Sequence, residues 1–297
     1  MAIQSMSTPD ANPGARRGAK QWLMRGGLRN IILVVGLTFF TIWTLFPYAW
    51  ILATSIKPSR DIYVSVSLIP ERTTFEHYRY ILEDDDFRTY FKNSLFVATT
   101  TTVIAMMIAV LSAYALTRLS FRGRGFMARA TIVTYLIPAS LLFIPLFQIA
   151  NQLHLTDKAP GLVVIYLIFS VPFSTWLTIS YFNTVPSELE DAALVDGATR
   201  LRALITIFIP LALPALAVVA LFTFTVAWNE FLFALLLIGR DSQKTVPVGL
   251  ADFVRGDTYQ WGRLMAGSLL ASLPPVLIYF FAQRWVVSGL AGGAIKG

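Results

Sequence analysis

Residues 188–214 read ELEDAALVDGATRLRALITIFIPLALP. The stretch opens polar and alanine-rich, closes apolar, and lies between two long hydrophobic runs. Its front half carries its own start and stop signals. Ser187 fits a helix N-cap, and Glu190 three residues later completes the S-x-x-E spacing of a capping box. Glu188, Glu190 and Asp191 place negative charge in the first turn, where the helix dipole favours it. Gly197 is placed to end the helix in a left-handed conformation, and Thr199 to cap the next one. The pattern predicts a short helix over 187–197, a tight turn, and a second helix running into an apolar segment.

Composition sets the surroundings of that helix. Of 297 residues, 56% are hydrophobic and only 14% charged, with a mean hydropathy of +0.62. Soluble domains carry about 25% charged residues, so the chain belongs in a membrane. Cysteine is absent and histidine is limited to His77 and His154, which excludes a disulfide framework, a thiolate metal site and a histidine cluster. The net charge of +7 sits in short loops between apolar spans, so it does not argue for nucleic acid.

Six charge-free stretches reach the roughly 20 residues a bilayer crossing needs: 30–56, 93–117, 130–151, 159–187, 203–229 and 264–283. The expected helical cores are 30–53, 94–117, 130–150, 160–182, 203–227 and 264–284. They form one membrane domain over 30–290, between an N-terminal segment 1–29 and a tail 291–297. The first run is too long for a cleavable signal peptide, whose apolar region is about 7–15 residues. The N-terminal segment holds Arg16, Arg17, Lys20, Arg25 and Arg29 against Asp10 alone, and the connection 118–129 holds four Arg and no acid. Arginine-dense short segments stay inside, so both termini are expected in the cytoplasm. Trp43, Trp50, Trp176, Tyr181 and Trp285 lie near span ends, where aromatic anchors belong. On the other side, Glu83, Asp84, Asp85 and Asp86 read as a solvated turn or as part of a docking face.

Pro47, Pro138, Pro145, Pro172, Pro210, Pro214, Pro274 and Pro275 fall within or near the spans. Each removes a backbone donor and bends its helix. A kink in nearly every span fits a pathway that opens and closes better than a static anchor.

The polar helix has a recognition face. Ala192 and Ala193 keep it flat, Leu189 and Val195 supply apolar contact, and Asp191 and Asp196 set register by charge. Interfacial helices that lie on lipid carry Lys and Arg on the polar face. This one opens with three acids, so a protein partner fits it better than lipid headgroups.

Asp191-Ala192-Ala193, Gly197 and Ile207-Phe208-Ile209-Pro210 resemble the cytoplasmic E-A-A loop of binding-protein-dependent ABC importer permeases. Asp191 stands where that family has Glu, and Ile209 where it has Leu. The likeness continues in Phe46-Pro47, Ser55-Ile56-Lys57-Pro58, Asn93-Ser94, Ala113 to Arg118, Phe121 to Arg124, Ile144-Pro145-Leu146, Trp228 to Phe231, and the tail from Ser288 to Gly297. These match the carbohydrate branch, the maltose-type second permease, over about residues 35–297.

The resemblance implies an all-α integral membrane protein of the type I ABC importer permease fold. Six transmembrane helices would carry a cytoplasmic coupling helix between the fourth and fifth. It implies a second homologous permease chain, two ABC ATPase subunits, an extracytoplasmic solute-binding protein and a carbohydrate substrate, in a bacterial or archaeal inner membrane. Glu190, Asp191, Ala192, Ala193, Asp196, Gly197 and Pro210 would face or position the ATPase. The C-terminal tail would reach towards the ATPase pair. ATP and Mg would sit on the ATPase subunits, with no catalytic residue, metal or cofactor in this chain. In keeping with that, the sequence has no G-x-x-x-x-G-K-[ST] phosphate loop.

Glu230 is the only acid in 203–239. At about 1.5 Å per residue it falls near the outer end of the fifth span. Trp228, Asn229, Glu230 and Phe231 offer polar groups for sugar hydroxyls and aromatic faces for stacking, so they are the expected outer gate. Glu230 also fits an interface residue in contact with water. Residues 231–238 are too short to span and fit a re-entrant segment or an outer-leaflet helix. A polyol or glycerophosphate-type solute is the alternative cargo. An ion-coupled secondary transporter would need more intramembrane carboxylates or histidines than Glu230 alone.

Overall fold

Lipid offers the backbone no hydrogen-bond partner, so a crossing segment must satisfy its own N–H and C=O groups as a helix. The computed structural model describes the backbone of residues 13–255 and 258–294, and the side chains of 30–254 and 259–285. Helix α1 (Pro13–Ser55) leads into two short helices, α2 (Ser59–Val64) and α3 (Glu76–Glu83). Then come α4 (Asp85–Arg118), α5 (Arg124–Tyr135), a 3-10 turn at Ala139–Leu142, α6 (Phe143–Gln152) and α7 (Ala159–Phe182). The polar segment is α8 (Ser187–Val195), followed by α9 (Arg200–Ala203), a π-helical turn at Leu204–Phe208 and α10 (Ile209–Trp228). After α11 (Leu232–Leu237) and α12 (Val246–Ala251), β1 (Val254–Arg255) pairs antiparallel with β2 (Thr258–Tyr259), and α13 (Trp261–Ala294) closes the chain.

Five described segments are long and apolar enough to cross a membrane: Asn30–Ser55 of α1, α4, α7, Arg200–Trp228, and Trp261–Trp285 of α13. The third expected span, 130–150, is not one rod. Arg124–Tyr135 and Ala139–Gln152 meet at 90°. The cause is local. Pro138 disfavours helix at the residue before it and is itself extended, at φ −59° and ψ 124°. At 12 residues, α5 is about 18 Å long, well short of a bilayer core of about 30 Å.

The acidic cluster joins two helices: Glu83 ends α3, and Asp84 to Asp86 start α4. Asp84 Oδ1 accepts the Asp86 N–H at 3.0 Å, with Asp85 and Asp86 in the first turn of α4. The helix therefore begins well before the apolar run at 93. Pro47, Pro172, Pro214, Pro274 and Pro275 lie inside helices.

The centre is α4 against α7, with α10 laid across both. Ala98, Ala105, Ala109 and Ala113 are fully buried along one face of α4, and small side chains let membrane helices approach closely. One core cluster gathers Val97, Leu162, Ile165, Tyr166, Phe224, Trp228 and Phe233. A second, at the end that carries α8, gathers Tyr114, Phe182, Leu204, Phe208 and Leu216. A third, at the opposite end, gathers Ile81, Phe87, Tyr90 and Val246. Helix α1 lies along α13 and turns Ile31, Leu33, Phe40 and Trp43 outward, an apolar exterior suited to lipid or a partner.

The α6–α7 loop is tightly held. Asp157, at φ +56°, accepts the Gly239 N–H at 2.6 Å and the Arg240 N–H at 3.0 Å. In the first turn of α7, a Cβ on Gly161 would lie 1.9 Å from the Leu155 carbonyl oxygen. Because the clash is with backbone, Gly161→Ala is expected to lower stability by about 1–3 kcal/mol, seen as a lower melting temperature in detergent. An unchanged melting temperature would show that this loop yields freely.

Candidate functional site

Helix α8 has the expected Gly197 end and stops at Val195, two residues short of the expected 197, but it lacks the expected capped start. Ser187 is its first helical residue, Pro186 occupies the N-cap, and no side chain caps it. Pro186, at φ −57° and ψ 136°, already fixes the entry angle. The capping box is therefore not formed, and Glu190 is engaged elsewhere. The C-terminus follows the sequence reading. Gly197 has φ +82°, its N–H donates to Leu194 O at 3.1 Å, and the Ala198 N–H donates to Ala193 O at 2.9 Å, the bond pair of a Schellman end. Thr199 Oγ1 accepts the Arg202 N–H at 3.3 Å and starts α9.

Gly197 faces open space, so substitution there meets strain and not a clash. Gly197→Ala is expected to cost about 1 kcal/mol. Gly197→Pro also loses the bond to Leu194 and cannot adopt positive φ, so it should abolish transport with the chain still inserted. Uptake by both variants checks the order.

The two faces of α8 divide sharply. Leu189, Asp191, Ala192, Val195 and Asp196 are exposed, and Val195 is 87% accessible. Ala193 and Leu194 are half-buried. Glu190 is 5% exposed. Its Oε1 accepts a hydrogen bond from Tyr114 Oη at 2.6 Å and lies 3.7 Å from Arg200 Nη1, while its Oε2 lies 3.9 Å from Arg118 Nε. Arg118 Nη2 donates to the carbonyls of Phe182 at 2.8 Å and Val185 at 2.5 Å. Its guanidinium sits 4.7 Å over the Phe208 ring, which packs edge-on against Tyr114 and Phe182. Glu190 is thus withdrawn from the face it was expected to share with Asp191 and Asp196. Pro210 is exposed, at the second residue of α10.

Sequence reasoning passed over Tyr114 and Arg118 as site residues. Their signal was visible: a phenol and a guanidinium four residues apart share one helix face, at the α8 end of an otherwise apolar span.

The 228–231 cluster is differently arranged from the expectation. Trp228 is 3% exposed, donates its indole N–H to Ala271 O at 3.0 Å, and is enclosed by Phe91 and Phe224. Its ring faces are already occupied. Glu230 accepts Tyr166 Oη at 2.7 Å, the Phe233 N–H at 2.9 Å and the Ala234 N–H at 3.1 Å. It caps α11, satisfying the amides that a helix start leaves free. Residues 231–238 accordingly hold a short packed helix, with Phe233, Ala234 and Leu237 buried. Asn229 remains exposed, and Phe231 is half-buried.

The end opposite α8 is pinned by polar side chains. Asn93 Nδ2 donates to Ser242 O and Lys244 O, and Ser94 Oγ accepts the Val246 N–H at 2.8 Å. Lys244 is 5% exposed and bonds Asp241 at 2.5 Å and Asp252 at 2.7 Å. Burial works against its charge, but the two carboxylates outweigh burial and raise the amine above its ordinary value. Lys57, also buried, donates to Ser65 O and Ser67 O, and its own carbonyl meets His77 Nε2 at 2.9 Å. Among the described residues, no group of three or more His, Asp or Glu could hold a metal. The side chains of Arg16, Arg17, Lys20, Arg25 and Arg29 and of the tail from Ser288 lie outside the described residues.

Residues 105–292, which include α8 and the Glu190 cluster, match the binding-protein-dependent transport system inner membrane component family. The chain belongs to that family. This permease is 38% identical over 273 residues to the inner membrane ABC transporter permease protein YcjP of Escherichia coli, covering 91% of this chain and 98% of that one. It is 35% identical over 274 residues to the trehalose/maltose transport system permease protein MalG of Thermococcus litoralis, with 91% and 98% covered. It is 35% identical over 286 residues to the trehalose transport system permease protein SugB of Mycobacterium tuberculosis, with 96% and 100% covered. Among solved structures, a chain of a bacterial ABC transporter that imports the acidic polysaccharide alginate superposes with a TM-score of 0.74 at 23% identity, covering 93% of the permease and 99% of that chain. The permease fold is therefore that of an ABC importer membrane subunit.

Proposed function

We propose that this permease forms half of the translocation pathway of an ATP-driven sugar importer and that α8 docks on a separate ATPase. The observation that carries this is the exposed α8 face of Leu189, Asp191, Ala192, Val195 and Asp196, held rigidly from behind by Glu190. A flat face with two acids fits a basic or amide-lined protein groove. Anionic lipid would repel it.

Orientation follows the arginines of 118–129, which put α8 and both termini in the cytoplasm. The α2, α3 and α12 end then faces the solute-binding protein. The second permease chain completes the path, and two ATPase subunits hold ATP and Mg. The relatives named for trehalose and maltose support a carbohydrate cargo. Asn229 and Phe231 are the residues of the 228–231 cluster left to meet it. Trp228 and Glu230 shape the passage from behind.

The test is to purify the tagged permease from native membranes, then measure uptake with proton and sodium gradients collapsed and ATP maintained. A co-purifying ATPase and sustained sugar uptake support the reading. A permease that emerges without an ATPase, or uptake that stops with the gradients, overturns it.

A further inference from the structure

Burying a carboxylate is costly unless it is paired and hydrogen-bonded, and an apolar side chain of similar size would often pack at least as well. Helix α8 nonetheless carries a buried acid, Glu190, while Glu188 and Asp191 beside it are exposed. Two chain segments meet that carboxylate directly, and two more meet its partners. Tyr114 and Arg118 bring the last turn of α4, and Arg200 brings α9. Arg118 in turn holds the Phe182 and Val185 carbonyls at the end of α7. Phe208, in the π-helical turn, fills the space between the Tyr114 and Phe182 rings. An apolar contact here would let α8 slide over the span ends. A charge with a short bond to a phenol and two guanidinium neighbours has one preferred position.

We infer that Glu190 is a positioning residue, the pin that makes α8 and the adjoining ends of α4, α7 and α9 move as one body. A push on the exposed face of α8 is then delivered to the spans without slip. The pin holds the helix from behind, while Asp191, Ala192 and Asp196 meet the partner. This rests on the docking role proposed for α8 and names the joint through which docking acts.

The experiment uses the whole importer reconstituted in liposomes, with the binding protein and a sugar that it carries. Glu190→Ala leaves the exposed face intact, so ATPase subunits should co-purify in the parental ratio and ATP hydrolysis should continue. Sugar moved per ATP should fall about tenfold, the scale of one lost charge-assisted bond. Glu190→Gln keeps an acceptor for Tyr114 and loses the charge, and should fall in between. Should Glu190→Ala fail to accumulate, Glu190→Gln carries the test.

The chain has no native cysteine, so spin labels at Ser187→Cys, an exposed α8 residue outside the docking face, and Ser120→Cys just beyond α4 report their separation. The parental distance should stay the same with and without ATP and broaden in Glu190→Ala. A parental change of more than about 5 Å, one helical turn, would overturn the pin, as would a Glu190→Ala importer with parental sugar moved per ATP. In both cases a co-purifying ATPase leaves the docking role standing. If the parental permease recruits no ATPase, the docking role fails and the pin falls with it.

Discussion

Arg118→Met is expected to destabilise the permease by about 3–5 kcal/mol, the range for removing one partner of a buried ion pair. The Met side chain keeps the stem that packs on Phe208 and removes everything else Arg118 does. Glu190, 5% exposed, loses its nearest buried cation and keeps only Arg200, whose side chain is 54% exposed. The Phe182 and Val185 carbonyls lose their donor at the same time. Adding Glu190→Gln to Arg118→Met should recover part of the loss, because an orphaned charge costs more than an orphaned amide. Thermal unfolding of the purified permease in detergent reads both. A single variant as stable as the parent, or a double variant worse than the single, would show that the pair contributes little.

Ala192→Asp is expected to abolish transport without disturbing the fold. Ala192 is exposed on α8, so the helix itself loses only about 0.5 kcal/mol of propensity. At a docked face the new carboxylate lies beside Asp191 and is buried without a partner. Such a charge costs about 2–5 kcal/mol in an interface, or about 30-fold to several thousand-fold in affinity. The ATPase should vanish from the purified complex, and sugar uptake should fall to background with parental amounts of permease in the membrane. Full recruitment with parental uptake would remove α8 from the docking face.

The two variants mark the border of what local pattern reveals. The existence of α8, its Gly197 end and the Thr199 cap were legible because each depends on residues within a few positions. So were the long apolar spans. Glu190 was misread because two rules competed for it. Its spacing from Ser187 satisfies a capping box, yet its partner Tyr114 is 76 residues away, and tertiary contact overrode the local motif. The break at Pro138 followed from a proline already noted, but only its neighbours decide whether a membrane proline kinks a helix or ends it. At Glu230 the acid was singled out, but its work as a helix cap was not read. An acidic residue two positions before the apolar run 232–237 is also a helix-start signal, and α11 uses it that way.

Helix α8 is nine residues long, about 13 Å from end to end. One face of so short a rod falls well below the roughly 800 Å² per partner of a standard stable interface. A single such dock is therefore short-lived. On the proposed reading, a second loop on a companion permease would turn two weak docks into one lasting attachment through effective concentration. Avidity then separates two demands that one strong contact would set against each other. Each pinned helix could then leave and reseat on its partner during a cycle, while the other keeps the proposed motor attached.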